Sequence, residues 1–258
     1  MQKARHPLEV RPVVIQTARF EQPKYPWLGP VPCRVAAISP SGGGKTSMIG
    51  TWFSQIAPLC DRWHIFSSTI DHDKTYTPMK DYITKALEDR QIDMEDPEEN
   101  PFHDSLKDFD MVLSGAKKRT TEAEDEGARV ATQTLILIDD LLGGYRNNKV
   151  LEIAFTRSRH WGCNIAILSQ SMRSISPIIR KNLTHVAFWR LSKLEENAAY
   201  DEFAGTGGQD PALFVKAFHL ATSAKSHGFL WMKMGNPPEF YSSFTKRLVS
   251  DGRTDRGS

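Results

Sequence analysis

Val35-Ala36-Ala37-Ile38-Ser39-Pro40-Ser41-Gly42-Gly43-Gly44-Lys45-Thr46 is an apolar strand that runs into a glycine-rich turn, followed by a helical pattern through Ser47, Met48, Ile49, Trp52 and Phe53. Strand, loop and helix in that order form a phosphate-binding unit. Backbone N–H groups must converge on an anion at a helix N-terminus, where side chains obstruct the approach and positive φ is needed. Gly42, Gly43 and Gly44 supply that freedom. The segment matches the P-loop pattern at Gly44, Lys45 and Thr46 and departs from it at Ser39, where glycine is usual. In this reading Ser39 to Ser47, with Pro40 and Ser41, hold a nucleoside triphosphate. The Lys45 ammonium sits between the β- and γ-phosphates, and the Thr46 hydroxyl takes one position on Mg²⁺. An ordinary glycine turn is the alternative; a strand before and a helix after argue against it.

Magnesium must also be held from the other side. Leu135-Ile136-Leu137-Ile138 is short, apolar and β-branched, as a strand buried on both faces of a parallel sheet should be. Asp139 ends it, where a Walker-B carboxylate belongs, and would act on the metal largely through water. Asp140 follows, in the place of the acid that orients and deprotonates the attacking water, a task usually given to glutamate. Either aspartate could instead be a helix cap or turn residue.

Other elements repeat the same alternation. Strands are expected at Trp63-His64-Ile65-Phe66, at 164–168 and at 185–189, with helices around 148–160 and 175–182 between them. Repeated β-α order predicts an α/β fold with a mostly parallel central sheet flanked by helices. Helices near 194–204 and 210–218 precede strands near 227–233 and 239–244, expected as antiparallel edge strands. Residues 1–32 carry Pro7, Pro12, Pro23, Pro26, Pro30 and Pro32 and are expected as an extended arm that packs on a neighbour. A polar stretch at about 71–134 reads as an insert in a domain spanning 33–249, with helices near 78–90 and 104–114. The tail 250–258 is polar and expected to be disordered.

Composition excludes several classes. With 258 residues, 40% apolar and 25% charged, the chain is globular and one large domain is the default. A net charge of +2 from 33 basic and 31 acidic residues falls short of a histone-like binder, so any DNA contact must be local. Cys33, Cys60 and Cys163 are odd in number and far apart, which suggests neither a disulfide framework nor a zinc site, and fits a reducing compartment. No run approaches the roughly 18 apolar residues of a membrane span, and the start lacks the apolar stretch of a signal peptide. A soluble, intracellular protein is expected.

From Phe155 to Arg190 the chain contains Phe155-Thr156-Arg157-Ser158-Arg159-His160, then Ile165-Ala166-Ile167-Leu168-Ser169-Gln170, then Arg180-Lys181-Asn182 before the next strand. In order and spacing this resembles the FtsK-HerA superfamily of DNA-pumping ATPases. It is closest in kind to the genome-packaging ATPases of poxvirus-type large DNA viruses, virophages and related membrane-containing viruses. The resemblance covers roughly 33–190 and leaves the arm, the insert and the C-terminal tail without a match. It implies an ASCE, RecA-like P-loop NTPase in which Gln170, at a strand end, senses the γ-phosphate or positions water. It also places Arg157 and Arg159 near a subunit boundary, where either could reach a neighbour's ATP as an arginine finger; Arg159 is favoured. Capping by Gln170 and solvated helix-end arginines are the plainer readings. Arg180 and Lys181 would face DNA or nucleotide. His160 has no metal partner at a useful spacing.

The implied protein is an ATPase using ATP and Mg²⁺, a homo-oligomeric ring, pentamer or hexamer, that drives double-stranded viral DNA into a preformed capsid at its vertex or portal. It would work in the host-cell cytoplasm, in the virus factory, and in the virion. DNA would be gripped through phosphates, and Lys117, Lys118 and Arg119 in the insert would be pore-loop residues. The residues after 190 carry only scattered acids such as Asp201, Glu202, Asp210 and Glu239, which argues against a nuclease. The rivals are a translocase or helicase for replication or segregation, a P-loop phosphotransferase acting on a small molecule, and a nucleotide-binding assembly protein that does not hydrolyse.

Overall fold

A computed structural model describes residues 20–128, 130–139, 141, 145, 147–208 and 210–248. A nine-stranded sheet runs through it, built from β1 (Arg34–Ile38), β2 (Arg62–Ser67), β3 (Phe102–His103), β4 (Thr134–Asp139), β5 (Cys163–Ser169), β6 (His185–Phe188), β7 (Leu230–Lys233), β8 (Glu239–Ser242) and β9 (Lys246–Leu248). Their spatial order is β3-β2-β4-β5-β1-β6-β7-β8-β9. From β3 to β6 every pairing is parallel; β7, β8 and β9 add on antiparallel. The expected mostly parallel α/β sheet with an antiparallel edge is therefore present.

Alternation along each strand gives the sheet two faces. In β4, Ile136 and Ile138 enter one core while Leu135 and Leu137 enter the other, and in β1 Ala36 and Ile38 oppose Val35 and Ala37 in the same way. The first core is covered by α3 (Phe109–Asp125), α4 (Lys149–Arg157), α5 (Pro177–Lys181), α6 (Lys193–Phe203) and α7 (Pro211–Ser223). The second is covered by α1 (Lys45–Ile56) and α2 (Thr77–Asp89). Helix starts follow their capping residues: Asn148 accepts from the Leu151 N–H at 3.1 Å, Ser176 and Ser192 cap α5 and α6, and Asp210 with Pro211 starts α7.

The polar stretch 71–134 is woven into this body. Met79, Ile83 and Leu87 recur at the spacing of one helical face and carry α2 into the second core, while Phe109, Val112, Leu113 and Ala116 carry α3 into the first. Phe102–His103 pairs with β2 as the sheet's edge strand. The helix expected near 104–114 begins later and runs much longer, as α3. The described part of the expected arm, 20–32, returns to its own sheet: Leu28 and Val31 are buried, Trp27 stacks on Phe244 with centroids 4.0 Å apart, and the Trp231 indole donates to the Trp27 carbonyl at 2.8 Å. The first nineteen residues and the tail 250–258 lie outside the described residues. No helix among the described residues is long and apolar enough to cross a membrane.

Candidate functional site

Because β1, β4 and β5 are parallel neighbours, their C-terminal ends open on one edge of the sheet, where connecting loops gather. A cleft of about 760 Å³ lies there, lined by Ser41 to Ser47, Asp139, Gln170 and the segment that carries His72, Asp73 and Thr75. Ser39 and Pro40 stand behind the loop, outside this lining.

The loop has the backbone its glycines suggest. Gly42 and Gly44 have φ of 71° and 99°, in the left-handed region, and Gly44 leads directly into α1. A side chain at Gly43 would collide with Ser39, since a Cβ there lies 1.9 Å from the Ser39 Oγ. Ser39 is fully buried; its N–H donates to the Ser169 carbonyl at 3.1 Å and its hydroxyl to the Pro40 carbonyl at 3.0 Å. Gln91, Asn147 and Ser243 are the only described non-glycine residues with positive φ, so Ser39 needs no glycine-like backbone. Its hydroxyl occupies space left by the absent Gly43 side chain. Lys45 Nζ donates to the Ser39 and Pro40 carbonyls at 2.7 and 3.1 Å, which holds the ammonium against the loop.

Asp139 is the last residue of β4, half-buried, and pairs in register with Ser67 of β2 and Leu168 of β5. The phenol of Tyr76 donates to Asp139 Oδ2. Burial, and then the negative charge of Asp139, push the Tyr76 pKa well above its usual range, so the phenol remains a proton donor at every working pH. Asp140 lies outside the described residues.

Gln170 follows β5, exposed in the cleft. Its turn is tied down from α6: Glu195 accepts from the Ser171 hydroxyl at 2.7 Å and from the Met172 N–H at 2.8 Å. Tyr145 donates to the Leu168 carbonyl at 3.0 Å and walls the same end of the cleft. Tyr76, Tyr145 and Glu195 carried no sequence signal, because each acts through a contact distant along the chain. His72, Asp73 and Thr75 left a faint one: Asp73 accepts from the Thr75 N–H at 2.9 Å, a local cap readable from Asp-x-Thr.

Arg157 and Arg159 are elsewhere. Arg157 ends α4 and Arg159 lies in the short turn before β5, both exposed. The Thr134 N–H that starts β4 bonds to the Gly162 carbonyl at 2.9 Å, which fixes this turn at the N-terminal edge of the sheet. There, burial and then the Arg159 charge lower the pKa of Arg34, the first residue of β1. A seven-residue strand, about 20 Å, separates these arginines from the cleft of their own chain.

Arg180 is committed internally, to Glu202 at 2.8 Å and the Ile175 carbonyl at 2.7 Å, and does not line the cleft. Lys117, Lys118 and Arg119 sit on α3 rather than on a loop, because α3 runs unbroken from its apolar face through Thr120. Arg119 turns inward, 3.9 Å from Glu99, while Lys117 and Lys118 are exposed. The thiols of Cys33 and Cys163 are buried and pushed up to about 12 by burial, which removes them as nucleophiles.

The loop suits a triphosphate: two positive-φ glycines, a third with no room for a side chain, and an ammonium at its mouth. No group of three His, Cys, Asp or Glu among the described residues could hold a metal by itself. Thr46 and Asp139 both line the cleft, and their side-chain oxygens are the kind that would hold Mg²⁺, with phosphate and water completing its shell.

No protein-family model and no curated protein sequence matches the chain. Solved structures do. The genome packaging NTPase B204 from Sulfolobus turreted icosahedral virus 2, in complex with ATP-gammaS, is similar with a TM-score of 0.54 at 12% identity, covering 82% of this chain and 97% of that one. The same protein in complex with AMPPCP gives 0.52 at 14% identity over 81% and 96%. The DNA-packaging ATPase B204 from Sulfolobus turreted icosahedral virus gives 0.51 at 16% identity over 81% and 96%. At such identities the likeness is one of fold, and it spans nearly the whole of each neighbour. The chain shares the mostly parallel α/β fold of the genome packaging NTPase B204.

Proposed function

We propose that this chain is an ATPase motor that translocates double-stranded DNA into a preformed viral capsid. The observation that carries the reading is the cleft itself, where the Ser41 to Ser47 loop, Asp139 and Gln170 face one another across the ends of adjacent parallel strands. Lys45 and the loop N–H groups would bind the triphosphate, Thr46 and Asp139 would hold Mg²⁺, and Gln170 would stand over the γ-phosphate end. Magnesium would neutralise developing charge on the phosphates. Asp140, next to Asp139 in sequence, is assigned the task of orienting and deprotonating the attacking water. The fold likeness to genome-packaging NTPases supports the motor over a small-molecule phosphotransferase.

Arg157 and Arg159 are assigned to a neighbouring copy's nucleotide, with Arg159 favoured. Their place on the far edge of the sheet supports action in trans, since neither reaches its own cleft. The working unit is then a homo-oligomeric ring, pentamer or hexamer, seated at the capsid vertex or portal, in the virus factory of the host cytoplasm and in the virion. The domain is assigned to 33–249.

The test is steady-state ATPase activity with and without double-stranded DNA across a salt series, for wild type, Lys45→Ala and Asp140→Asn. Turnover stimulated by DNA, falling with salt and lost in both variants, is expected. Turnover indifferent to DNA would move the assignment to a phosphotransferase, and no turnover to a nucleotide-binding assembly protein.

A further inference from the structure

Behind the phosphate loop, on the side of Ser39 and Pro40, lies a second cavity of about 380 Å³, which shares only Gly43 with the main cleft. Its charged side chains are Arg190, just past the end of β6, and Lys225, in the turn between α7 and β7; the Ser223 and Ser226 side chains line it with them. Both cations stand on fixed backbone. The Trp189 N–H carries the β1–β6 ladder up to Arg190 by donating to the Ile38 carbonyl at 3.2 Å, and the Gly228 N–H closes the Lys225 turn at 3.0 Å. That turn is pressed onto α7, since a Cβ at Gly228 would lie 2.4 Å from the Ala221 carbonyl. No carboxylate lines the cavity, and neither Arg190 nor Lys225 has a hydrogen bond or ion pair among the described residues. Unpaired cations beside hydroxyls in a hollow suit carboxylates.

Carboxylates of that kind lie at the opposite edge of the sheet. The segment joining α2 to β3 carries Asp93, Glu95, Asp96 and Glu98, all exposed and none paired with a cation among the described residues. Its place is fixed at both ends: Glu99 pairs with Arg62, the first residue of β2, and Arg90 donates to the Asp61 carbonyl at 2.7 Å. The segment therefore lies at the N-terminal edge of the sheet, the edge that carries Arg157 and Arg159.

We propose that the basic cavity receives the acidic segment 93–98 of a second copy of this chain. The inference rests on the ring reading above, in which Arg157 and Arg159 meet a neighbouring copy's nucleotide. That contact sets the N-terminal edge of one sheet against the C-terminal edge of the next, so the segment and the cavity come to the same boundary. Each edge then bears both signs: triphosphate with a basic cavity on one, arginines with an acidic segment on the other. Two pairings of opposite polarity fix the rotation of one copy on the next, because turning either copy half a circle sets like charges together. The carboxylate pairing needs no nucleotide, so it holds neighbours in register after the product has left.

The test is a charge-reversal cycle read by sedimentation velocity, with a non-hydrolysable ATP analogue and with or without double-stranded DNA. Wild type is compared with Arg190→Glu plus Lys225→Glu, with Glu95→Lys plus Glu98→Lys, and with all four changes in one chain. The four positions are exposed, and Asp93 and Asp96 are kept because they accept the Glu95 and Glu98 N–H groups, each at 2.9 Å, and shape the segment. Each two-residue reversal is expected to raise the concentration for half-assembly by about tenfold or more, and the four-fold variant to return to within about threefold of wild type. Assembly unchanged in either reversal, or no recovery when the two are combined, would overturn the pairing and leave the ring standing. A wild type that stays monomeric both with and without DNA would overturn the ring reading and this inference with it.

Discussion

The phenol of Tyr76 donates a hydrogen bond to Oδ2 of Asp139, joining the turn after β2 to the end of β4 at the floor of the cleft. One carboxylate oxygen is thereby fixed, which leaves the orientation of the other determined. Tyr76→Phe keeps the buried ring and removes only the donor. With Asp139 assigned to Mg²⁺, the expected outcome is a rise in the Mg²⁺ concentration needed for half-maximal ATPase activity, about 10-fold, with nucleotide affinity in the absence of metal unchanged. A magnesium titration of steady-state turnover checks it.

Glu195 offers a second lever, because its two oxygens hold Ser171 and Met172 and so the turn that presents Gln170. Glu195→Ala frees that turn without touching the loop around Lys45. Turnover is expected to fall about tenfold while ATP binding stays within twofold of wild type, the pattern of an interaction used after binding. Single-turnover kinetics beside equilibrium binding distinguish this from a general loss of fold.

Gly43 and Ser39 compete for one volume. Gly43→Ala alone is expected to abolish nucleotide binding, since its Cβ meets the buried Ser39 hydroxyl. The double variant Ser39→Gly with Gly43→Ala removes the collision, and partial recovery of binding is expected. Absence of recovery would show that position 43 is closed by its backbone instead.

Two buried histidines make stability fall in acid. His64 and His185 have pKa values lowered to about 3, in each case chiefly by burial, so both are neutral in the folded chain. The unfolded chain protonates them near 6.5. Folded pKa values below the unfolded ones favour unfolding as protons bind, so stability is full above about pH 6.5 and declines as pH falls towards 3, by on the order of 1 kcal/mol per pH unit and group. Thermal melts from pH 7.5 to 4.5 should show the decline, and His185→Asn should make it shallower.

Lys117 and Lys118 share the exposed side of α3, whereas Arg119 is held near Glu99. Charge removal at 117 and 118 is expected to leave the melting temperature within about 2 °C of wild type. Arg119→Ala leaves Glu99 with one partner fewer and is expected to lower stability by about 1–3 kcal/mol. Chemical denaturation of the three variants tests the contrast.

The sequence was readable where one short stretch determined its own structure. The apolar run before Gly42, the β-branched run ending at Asp139 and the helices from 149 to 223 were all visible, since those strands bury both faces and α4, α5, α6 and α7 each carry a side-chain cap. Two strands were not. Phe102–His103 is two residues long and exists only because Ile65 and Phe66 pair with it; Lys246–Leu248 has two exposed residues in three and no alternation to detect. The polar stretch 71–134 misled through its charge: its acids face outward from helices whose other faces carry Met79, Ile83, Phe109 and Val112 inward. That the Ser41 to Ser47 loop, Asp139 and Gln170 line one cleft follows from their places after the ends of neighbouring parallel strands. Tyr76 and Glu195 are joined to it by bonds spanning 63 and 24 residues, and no local pattern records such a bond.

The parallel strands give the molecule two unlike poles, a cleft on one edge and Arg157 and Arg159 on the other. If the arginines serve a neighbour's nucleotide within the proposed ring, each contact joins two unlike faces of the chain, the head-to-tail kind of interface that closes when its rotation permits. Each nucleotide would be a seam completed by the next copy, so an unassembled chain would be an idle engine that spends no fuel.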